Sequence, residues 1–505
     1  MPDTPAGARG EVRVSLRLPD EAATARLAED VAAVLKPGDI VALAGGLGAG
    51  KTTFARALLR ALAGDLALEV QSPTFPLRLD HVLPRLEVVH VDLYRVGDPR
   101  ELEELALDDA VAEGALLVEW PEQLPPALAG DRLDLSFEID GEGRAVDIVA
   151  SGTWPTRLAR TARIRAFLDE AGQRGATRVP LAGDASTRAY ERVHLGGSSA
   201  ILMNAPARSE GPANYGGRSY DSVAHRALDV KPFVAIDLEL RRAGVRVPEM
   251  RAADIGAGLL LLEDLGDEGV LDSAGTPIVE RYEAAIDLLV YMHGRPWPAE
   301  VALPGGEHYA LPPYDRDALL IEVSLFPDWF AGKGGEAPFT PERRAAFLAA
   351  WSRLLDKVDP RVTTWAMRDF HSPNILWREG EVGIARVGVI DFQDALVGHT
   401  AYDVASLAQD ARVMIDEVGE ARLKARYHEG RKARDPGFDA VAFDIAYDIL
   451  ALQRATKVLG GFARLAYAER KTAYQRHRGR LKALLRRNLA HSVLSDMRLW
   501  YEPYL

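Results

Sequence analysis

The chain has 505 residues, of which 48% are hydrophobic and 27% are charged, and its formal net charge is -13. This length predicts about two to four domains. The net negative charge argues against a protein whose surface as a whole binds nucleic acid. The absence of cysteine excludes disulfides, thiolate zinc sites and cysteine nucleophiles. Because the sequence shows no signal peptide and no apolar run of membrane-spanning length, we expect a cytoplasmic protein that does not contact a membrane.

The first functional motif is a glycine turn between an apolar run and a helical pattern. The run "DIVALA" precedes "GGLGAGKTT" at residues 45–53, and "FARALLRAL" follows it. Gly45, Gly50, Lys51 and Thr52 fill the positions of the phosphate-loop pattern, whose backbone N–H groups and lysine meet phosphates and whose hydroxyl can bind Mg²⁺. The motif predicts a site for ATP and Mg²⁺ with contacts from Gly45, Gly48, Ala49, Gly50, Lys51, Thr52 and Thr53.

Two later apolar segments each end in an acid. "LEVVHVDLYRV" carries Asp92, and "GALLVEW" carries Glu119. In phosphate-loop ATPases a carboxylate at the end of a neighbouring strand contacts Mg²⁺, because the strand ends and the loop share one edge of the sheet. Asp92 and Glu119 are both candidates, and the strand pattern does not choose between them; either could instead be a solvated acid at a strand end.

The order of five segments in this part resembles the TsaE family. They are "GGLGAGKTTFAR", "SPTF", "HVDLYR", "ELEEL" and "LLVEWPE", within about residues 10–150. TsaE is a small bacterial ATPase that works with partner proteins to build threonylcarbamoyladenosine at position 37 of tRNA. The resemblance therefore implies TsaB-like and TsaD-like partners, and tRNA as an indirect partner. A stand-alone nucleotide switch is the rival hypothesis for this domain.

The same resemblance assigns roles at the site. It implies that Glu119 makes the second Mg²⁺ contact and that Asp92 helps hydrolysis. Trp120 and residues 72–75 would lie beside the nucleotide as a switch-like region. Gly46 departs from the family, which usually has aspartate there.

A second domain is expected to begin near residue 153, after a cluster of Gly, Pro and Thr. The segments "PLAGDASTRAYERVHL", "SSAILMNAP", "FVAIDLELRRAGV" and "GLLLLEDLG" then follow in order. Strand, loop, strand, helix and strand is the order of the small lobe of a kinase-like fold. We expect Ser186 in the loop to contact ATP and the "EDLG" segment, which begins at Glu263, to be the hinge whose backbone groups meet adenine.

The catalytic motifs lie further along the chain. In "WAMRDFHSPNILW" Asp369 is followed five positions later by Asn374, the spacing of a kinase catalytic loop. There the aspartate accepts the proton of the attacking hydroxyl and the asparagine helps to hold Mg²⁺. The apolar strand "VGVI" is followed directly by Asp391, which stands at the position of the Mg²⁺-binding aspartate of kinases. We expect a hairpin between the two motifs to bring Asn374 and Asp391 together at one metal.

These two motifs are similar to those of the aminoglycoside phosphotransferase superfamily. The form "DFQDALVGHTAYDVASL" most resembles the AmgK kinases, and the similarity covers about residues 157–490. It implies transfer of the γ-phosphoryl group of ATP to the anomeric hydroxyl of N-acetylmuramate or N-acetylglucosamine in cell-wall recycling. Two alternatives stay open: an aminoglycoside, choline-like or homoserine-like kinase, and a degenerate kinase-like module that regulates the first domain.

One departure concerns the ATP-binding lysine of the small lobe. Met203 stands near the expected place, and its strand has no Lys or Arg. Arg188 or Arg192 could replace the lysine, or Mg²⁺ and backbone groups could suffice. His371, within the catalytic loop, could orient Asp369 or be structural.

The sequence thus predicts two phosphoryl-transfer modules of unrelated fold. An α/β P-loop NTPase domain (residues 1–152) precedes a two-lobed α+β kinase-like, aminoglycoside phosphotransferase domain. The latter has a small lobe with a leading helix (153–266) and a catalytic large lobe (267–505). No residue pattern indicates exchange between the two sites, and the basic run at residues 476–488 is interpreted as a solvated helix face.

Overall fold

The computed structural model describes residues 11–73, 75–125, 128, 130–181, 188–333 and 338–505. The predicted ATP contact Ser186 lies outside these residues. The chain forms two compact units. The first contains the described residues up to Asn204 together with Arg251–Asp254 and Leu259–Leu262, and the second contains Ala205–Met250, Ile255–Gly258 and Glu263–Leu505.

A seven-stranded sheet forms the centre of the first unit, in the spatial order β1-β7-β6-β2-β5-β4-β3. Strand β2 is parallel to β5 and β6, and β4 is parallel to β5. The carboxyl ends of β2, β4 and β5 therefore meet at one edge, where ligands bind in open α/β sheets. The strands are β1 (Val12–Leu18), β2 (Asp39–Gly45), β3 (Arg78–Val82), β4 (Glu87–Asp92), β5 (Ala115–Glu119), β6 (Asp131–Asp140) and β7 (Gly143–Ala150).

Helices cover this sheet because its central strands are apolar on both faces, as parallel strands usually are. Phe54 packs with Phe137 in one core, and Val91 and Val118 belong to a second. The helices of this part are α1 (Glu21–Val34), α2 (Lys51–Ala63), α3 (Pro99–Glu104) and α4 (Leu107–Glu113).

A helix and a five-stranded sheet follow in the same unit, except that Met250 and Glu263, at the ends of two strands, belong to the second unit. They are α5 (Trp154–Glu170), β8 (Thr177–Pro180), β9 (Ala189–Leu195), β10 (Ser198–Asn204), β11 (Met250–Asp254) and β12 (Leu259–Glu263), with the strand order β11-β12-β10-β9-β8. Helix α5 is tied to the first sheet, because Arg157 donates to both oxygens of the fully buried Asp39 carboxylate at 2.6 and 2.8 Å. The domain boundary near residue 153 stays a prediction, and this helix packs on the preceding domain.

The second unit is mainly helical. Its helices are α6 (Tyr220–Val223), α7 (Lys231–Arg242), α8 (Val279–His293), α9 (Arg316–Leu325), α10 (Pro341–Leu355), α11 (Ala401–Ala408), α12 (Glu417–Arg434), α13 (Ala440–Ala468), α14 (Arg478–Leu489) and α15 (Arg498–Tyr501), with a π-helical segment at Phe326–Lys333. None of the helices in the described ranges is long and apolar enough to cross a membrane.

Three short antiparallel strand pairs complete this unit. They are β13 (Glu300–Ala302) with β14 (His308–Ala310), β15 (Thr363–Ala366) with β18 (Leu396–His399), and β16 (Ile375–Trp377) with β17 (Val387–Val389). The last two pairs frame the predicted catalytic loop, because β15 ends just before it and β16 begins just after it.

Candidate functional sites

The phosphate loop connects β2 to α2, with the helix beginning at Lys51. Gly45 and Gly50 have φ of 127° and 115°, a region that side chains disfavour. A Cβ atom at Gly45 would also lie 2.3 Å from the carbonyl oxygen of Phe137. Glycine is therefore required for both the turn and the close approach to β6.

Lys51 lies within the loop and is 5% exposed. Its Nζ donates to the carbonyl oxygens of Gly45 at 2.7 Å and Gly46 at 3.0 Å. The same atom lies 3.8 Å from the ring centroid of Trp120. Burial lowers the pKa of Lys51 below its usual range, and the Glu119 carboxylate opposes that shift. The Lys51 ammonium group is thus held by two carbonyl oxygens of its own loop and by the Trp120 ring.

Thr52 and Glu119 are the two predicted Mg²⁺ contacts of this site, and they touch. Thr52 Oγ1 donates to Glu119 Oε2 at 2.9 Å. Asp92 is the register partner of Glu119 on β4, and its Oδ1 accepts the backbone N–H of Tyr94 at 2.9 Å. The strand pattern left the two acids equivalent, whereas the structure pairs Glu119 directly with the loop hydroxyl.

His90 and Arg144 support this site, and sequence reasoning did not single them out. His90 is fully buried, with Nε2 at 3.2 Å from Glu119 Oε1. Arg144 donates from Nε to the carbonyl of Ala49 at 2.9 Å. His90 could have been noticed because it stands two residues before Asp92 on one face of a strand, but no local pattern links β7 to the loop.

The predicted switch-like region is only partly described. Trp120 has φ of 60°, and its ring lies 4.7 Å from that of Tyr94. Of residues 72–75, Thr74 lies outside the described residues. Phe75 is 83% exposed, with the Arg95 guanidinium 5.0 Å from its ring. Trp120 is therefore beside Lys51, and Phe75 presents an apolar side chain to solvent.

In the second unit, the loop that carries Asp369 is fixed by a buried carboxylate. Asp403, on α11, accepts the backbone N–H groups of Met367 at 2.6 Å and Arg368 at 2.9 Å. Arg368 has φ of 68°, a strained conformation that persists only where the surroundings impose it. Asp403 thus holds the backbone immediately before Asp369.

Asn374 and Asp391 lie together beside this loop. Asn374 precedes β16, Asp391 follows β17, and these strands form the hairpin. Asn374 Nδ2 donates to the carbonyl of Asp369 at 2.9 Å and lies 3.5 Å from Asp391 Oδ2. Gln393 Nε2 donates to Asp391 Oδ1 at 2.7 Å, and Asp391 has φ of 59°. The three predicted kinase residues are therefore brought to one place.

The charges around Asp369 favour its ionised form. Burial raises the pKa of Asp369, but the positive charges of Lys457, Arg368 and Arg454 outweigh it, so that this pKa lies below its usual value. Burial also lowers the pKa of His371 to about 4, so His371 is neutral near pH 7. Arg412 Nη1 lies 3.0 Å from His371 Nδ1, which places a second guanidinium at the loop.

The small lobe was predicted to replace its missing lysine with Arg188 or Arg192. Met203 is fully buried and lies opposite Tyr190, while Arg192 lies opposite Ile201. Because alternate residues of a strand share a face, Arg192 lies on the face of the sheet that carries Met203, whereas Arg188 precedes β9. The replacement of the missing lysine by Arg188 or Arg192 stays a prediction.

Glu263 is already engaged within its own unit. Its backbone N–H donates to the carbonyl of Glu249 at 2.7 Å, and its carboxylate pairs with Arg246, with one contact of 2.8 Å. That N–H group is therefore not directed at an adenine, and the predicted nucleotide contact there would need other hinge groups.

Comparison with known families divides the chain in the same way as the motifs. Residues 18–146 match the family described as threonylcarbamoyl adenosine biosynthesis protein TsaE, and residues 177–443 match the phosphotransferase enzyme family. A TsaE protein of Rickettsia felis is 36% identical over 129 residues, which cover 26% of this chain and 75% of the relative.

Two relatives named N-acetylmuramate/N-acetylglucosamine kinase match the larger part. The Caulobacter vibrioides protein is 35% identical over 357 residues, which cover 68% of this chain and 97% of the relative. The Pseudomonas aeruginosa protein is 33% identical over 309 residues, which cover 59% and 79%. The predicted fold class and both resemblances are thereby confirmed. The chain belongs to the TsaE family over its first part and to the phosphotransferase enzyme family, alongside the N-acetylmuramate/N-acetylglucosamine kinases, over the larger part that follows.

Proposed function

We propose that the chain combines an ATPase for threonylcarbamoyladenosine modification of tRNA with an ATP-dependent kinase for the anomeric hydroxyl of N-acetylmuramate and N-acetylglucosamine, both acting in the cytoplasm. The observation that carries the kinase assignment is the meeting of Asp369, Asn374 and Asp391 at one hairpin. The pairing of Thr52 with Glu119 beside Lys51 supports the ATPase.

In the kinase site, Asp369 would accept the proton of the acceptor hydroxyl. The hydroxyl oxygen forms a bond to the γ-phosphorus of ATP, and the bond from that phosphorus to the β–γ bridging oxygen breaks, which leaves ADP and a sugar phosphate. A carboxylate with a depressed pKa is ionised and ready for this task at neutral pH. Asp403 would hold the loop backbone in place by accepting the N–H groups of Met367 and Arg368.

In the ATPase site, Lys51 would meet the terminal phosphates, and the backbone N–H groups of residues 45–53 would surround them. Trp120 limits the space beside Lys51. Asp92, at the neighbouring strand end, would assist the attacking water. His90 holds the carboxylate of Glu119 in position.

The donor groups at both sites fit Mg²⁺. A hydroxyl with a carboxylate (Thr52, Glu119) and an amide with a carboxylate (Asn374, Asp391) are oxygen donors of the kind that Mg²⁺ takes alongside nucleotide phosphates. Bound Mg²⁺ would neutralise negative charge on the nucleotide phosphates. The side chains of these four residues would determine where the metal ion and the phosphates lie.

An acceptor screen of the full chain tests the kinase assignment. ATP turnover is measured with N-acetylmuramate, N-acetylglucosamine, choline and an aminoglycoside, and formation of the phosphorylated product is followed directly. Turnover of the amino sugars is expected. Turnover of choline or the aminoglycoside alone would favour the other kinase class, and no turnover of any acceptor would favour a degenerate regulatory module.

A binding assay tests the first domain. The full chain is expected to retain TsaB-like and TsaD-like proteins in a nucleotide-dependent pull-down, with tRNA joining only through them. Lys51→Ala removes the phosphate-binding cation and is the matched control. This variant should not show the nucleotide-dependent retention. ATP hydrolysis without retention of these partners would support a stand-alone nucleotide switch instead.

A further inference from the structure

Buried ion pairs join the P-loop part of the first unit to its five-stranded sheet. Arg178, on β8, is 3% exposed and donates to both carboxylate oxygens of Glu191, on β9, at 2.6 and 2.8 Å. The same guanidinium pairs with Asp30, on α1. Arg165, on α5, donates to Glu29 of α1 at 3.0 Å and to Asp30 at 2.8 Å. We call these five residues the junction cluster.

The junction cluster makes α1 and the β8–β9 strands dependent on each other. Asp30 is shared by two guanidiniums from different elements, Arg165 and Arg178. Glu191 is 5% exposed and Glu29 is 8% exposed. Removing one partner of a buried ion pair leaves an uncompensated buried charge, which is strongly destabilising. Unfolding of α1 alone would therefore remove the partners of buried charges on α5 and β8.

Apolar packing connects α1 to the phosphate loop. Helix α2 begins at Lys51 of that loop. Leu58 of α2 and Val31 of α1 belong to one buried core, which also contains Trp154 at the start of α5, and all three side chains are 0% exposed. Packed side chains and ion-pair networks carry energetic coupling between separate parts of a protein. A continuous path of this kind runs from the phosphate loop through α2 and α1 to the junction cluster.

We infer that the P-loop domain unfolds together with β8, β9 and β10 as one cooperative unit, so that a ligand bound at the phosphate loop also stabilises these strands. A ligand that binds only the folded state stabilises every segment that unfolds with its site. Segments that opened independently would instead have separate opening free energies. The coupling concerns stability, and it requires no exchange of phosphate between the two predicted ATP sites.

Native-state hydrogen exchange of the full chain tests this inference. Leu58→Ala removes a fully buried side chain of α2, and a cavity of this kind should accelerate exchange through unfolding by about 30-fold or more. The slowest amides of β9 and β10 should accelerate by the same factor as those of α2. Leu66→Ala, at a leucine that is 63% exposed, is the matched control and should leave both sets of amides unchanged. Acceleration confined to α2 would overturn the inference.

The junction cluster is tested by adding Glu29→Gln and Asp30→Asn to the same comparison. With these two charges removed, Leu58→Ala should accelerate exchange in β9 and β10 by a smaller factor than in α2. Equal factors in both places would show that the coupling does not pass through the ion pairs, and would overturn the role of the cluster. Should Leu58→Ala lose its thermal transition, Val31→Ala, a smaller truncation in the same core, replaces it.

The ligand effect is measured with Mg²⁺-ADP in the wild type and in Lys51→Ala. The predicted nucleotide site of the kinase-like domain is unaltered in both proteins, so protection of β9 and β10 that depends on Lys51 reports the phosphate loop. ADP should slow exchange of these amides more in the wild type than in Lys51→Ala. Protection of α2 by ADP in the wild type, with equal protection of β9 and β10 in the two proteins, would overturn the inference.

Discussion

Asp237 predicts a pH-dependent stability that can be calculated from its surroundings. It lies on α7, is 0% exposed, and neither of its carboxylate oxygens has a hydrogen-bond partner among the residues that the structure describes. Burial raises its pKa from 3.8 to about 7; Arg241 opposes this shift and Glu249 adds to it. The folded state therefore holds a proton that the unfolded state releases at lower pH.

The sign and size follow from linkage. Below the unfolded pKa of 3.8 both states are protonated, and Asp237 costs the folded state no ionisation energy. As pH rises toward the folded pKa of about 7, stability falls by about 1.4 kcal/mol per pH unit. The full loss is about 4 kcal/mol at pH 8, and about 3 kcal/mol of it develops between pH 5 and pH 8.

Urea unfolding of the full chain at pH 5 and pH 8, with Asp237→Asn measured beside the wild type, isolates this contribution. The stability advantage of Asp237→Asn should grow by about 3 kcal/mol between the two pH values. Asp317→Asn is the control, because Asp317 forms an exposed ion pair with Arg218 and such pairs contribute about 0–1 kcal/mol. An advantage that stays constant with pH would refute the reasoning.

Three further predictions concern positioning contacts. Arg157→Met leaves the Asp39 carboxylate buried without its partner, so the free energy of unfolding should fall by about 3–5 kcal/mol; a urea titration that shows less than about 0.5 kcal/mol would contradict the pairing. His90→Ala frees the Glu119 carboxylate, and the Mg²⁺ concentration for half-maximal ATPase activity should rise about tenfold or more; an unchanged Mg²⁺ titration would exclude this role. Asp403→Asn weakens the hold on the catalytic loop, so kcat for sugar phosphorylation should fall while the ATPase without sugar is retained; an unchanged kcat would show that the loop needs no such anchor.

Contiguous motifs made much of each site predictable. The phosphate loop is a run of residues whose backbone geometry forces glycine at Gly45 and Gly50, so local sequence carries the signal. The spacing of Asp369 and Asn374 likewise belongs to one loop. The position of Asp391 beside Asn374 could be predicted once a hairpin was expected between them, and the adjacent segments indicate that hairpin.

Contacts between distant segments were not predictable. Arg144 reaches the phosphate loop from β7, and Asp403 binds the catalytic loop from α11. Lys457, on α13, contacts Glu322, which binds Arg368 of the catalytic loop, although helical periodicity describes α13 only as a core helix. The turn-forming cluster near residue 153 signalled a boundary, but Arg157 pairs with Asp39 across it. Such pairings depend on how elements pack, which spacing along the chain does not encode.

The central claim is that one chain contains two separate ATP sites with different acceptors. The most direct test measures sugar phosphate formation and sugar-independent ATP hydrolysis in the full chain, in Asp369→Asn and in Lys51→Ala. Asp369→Asn should lower sugar phosphorylation by about 10²- to 10⁴-fold and retain ATP hydrolysis. Lys51→Ala should lower ATP hydrolysis and retain sugar phosphorylation. Loss of sugar phosphorylation in Lys51→Ala, or its retention in Asp369→Asn, would contradict the account.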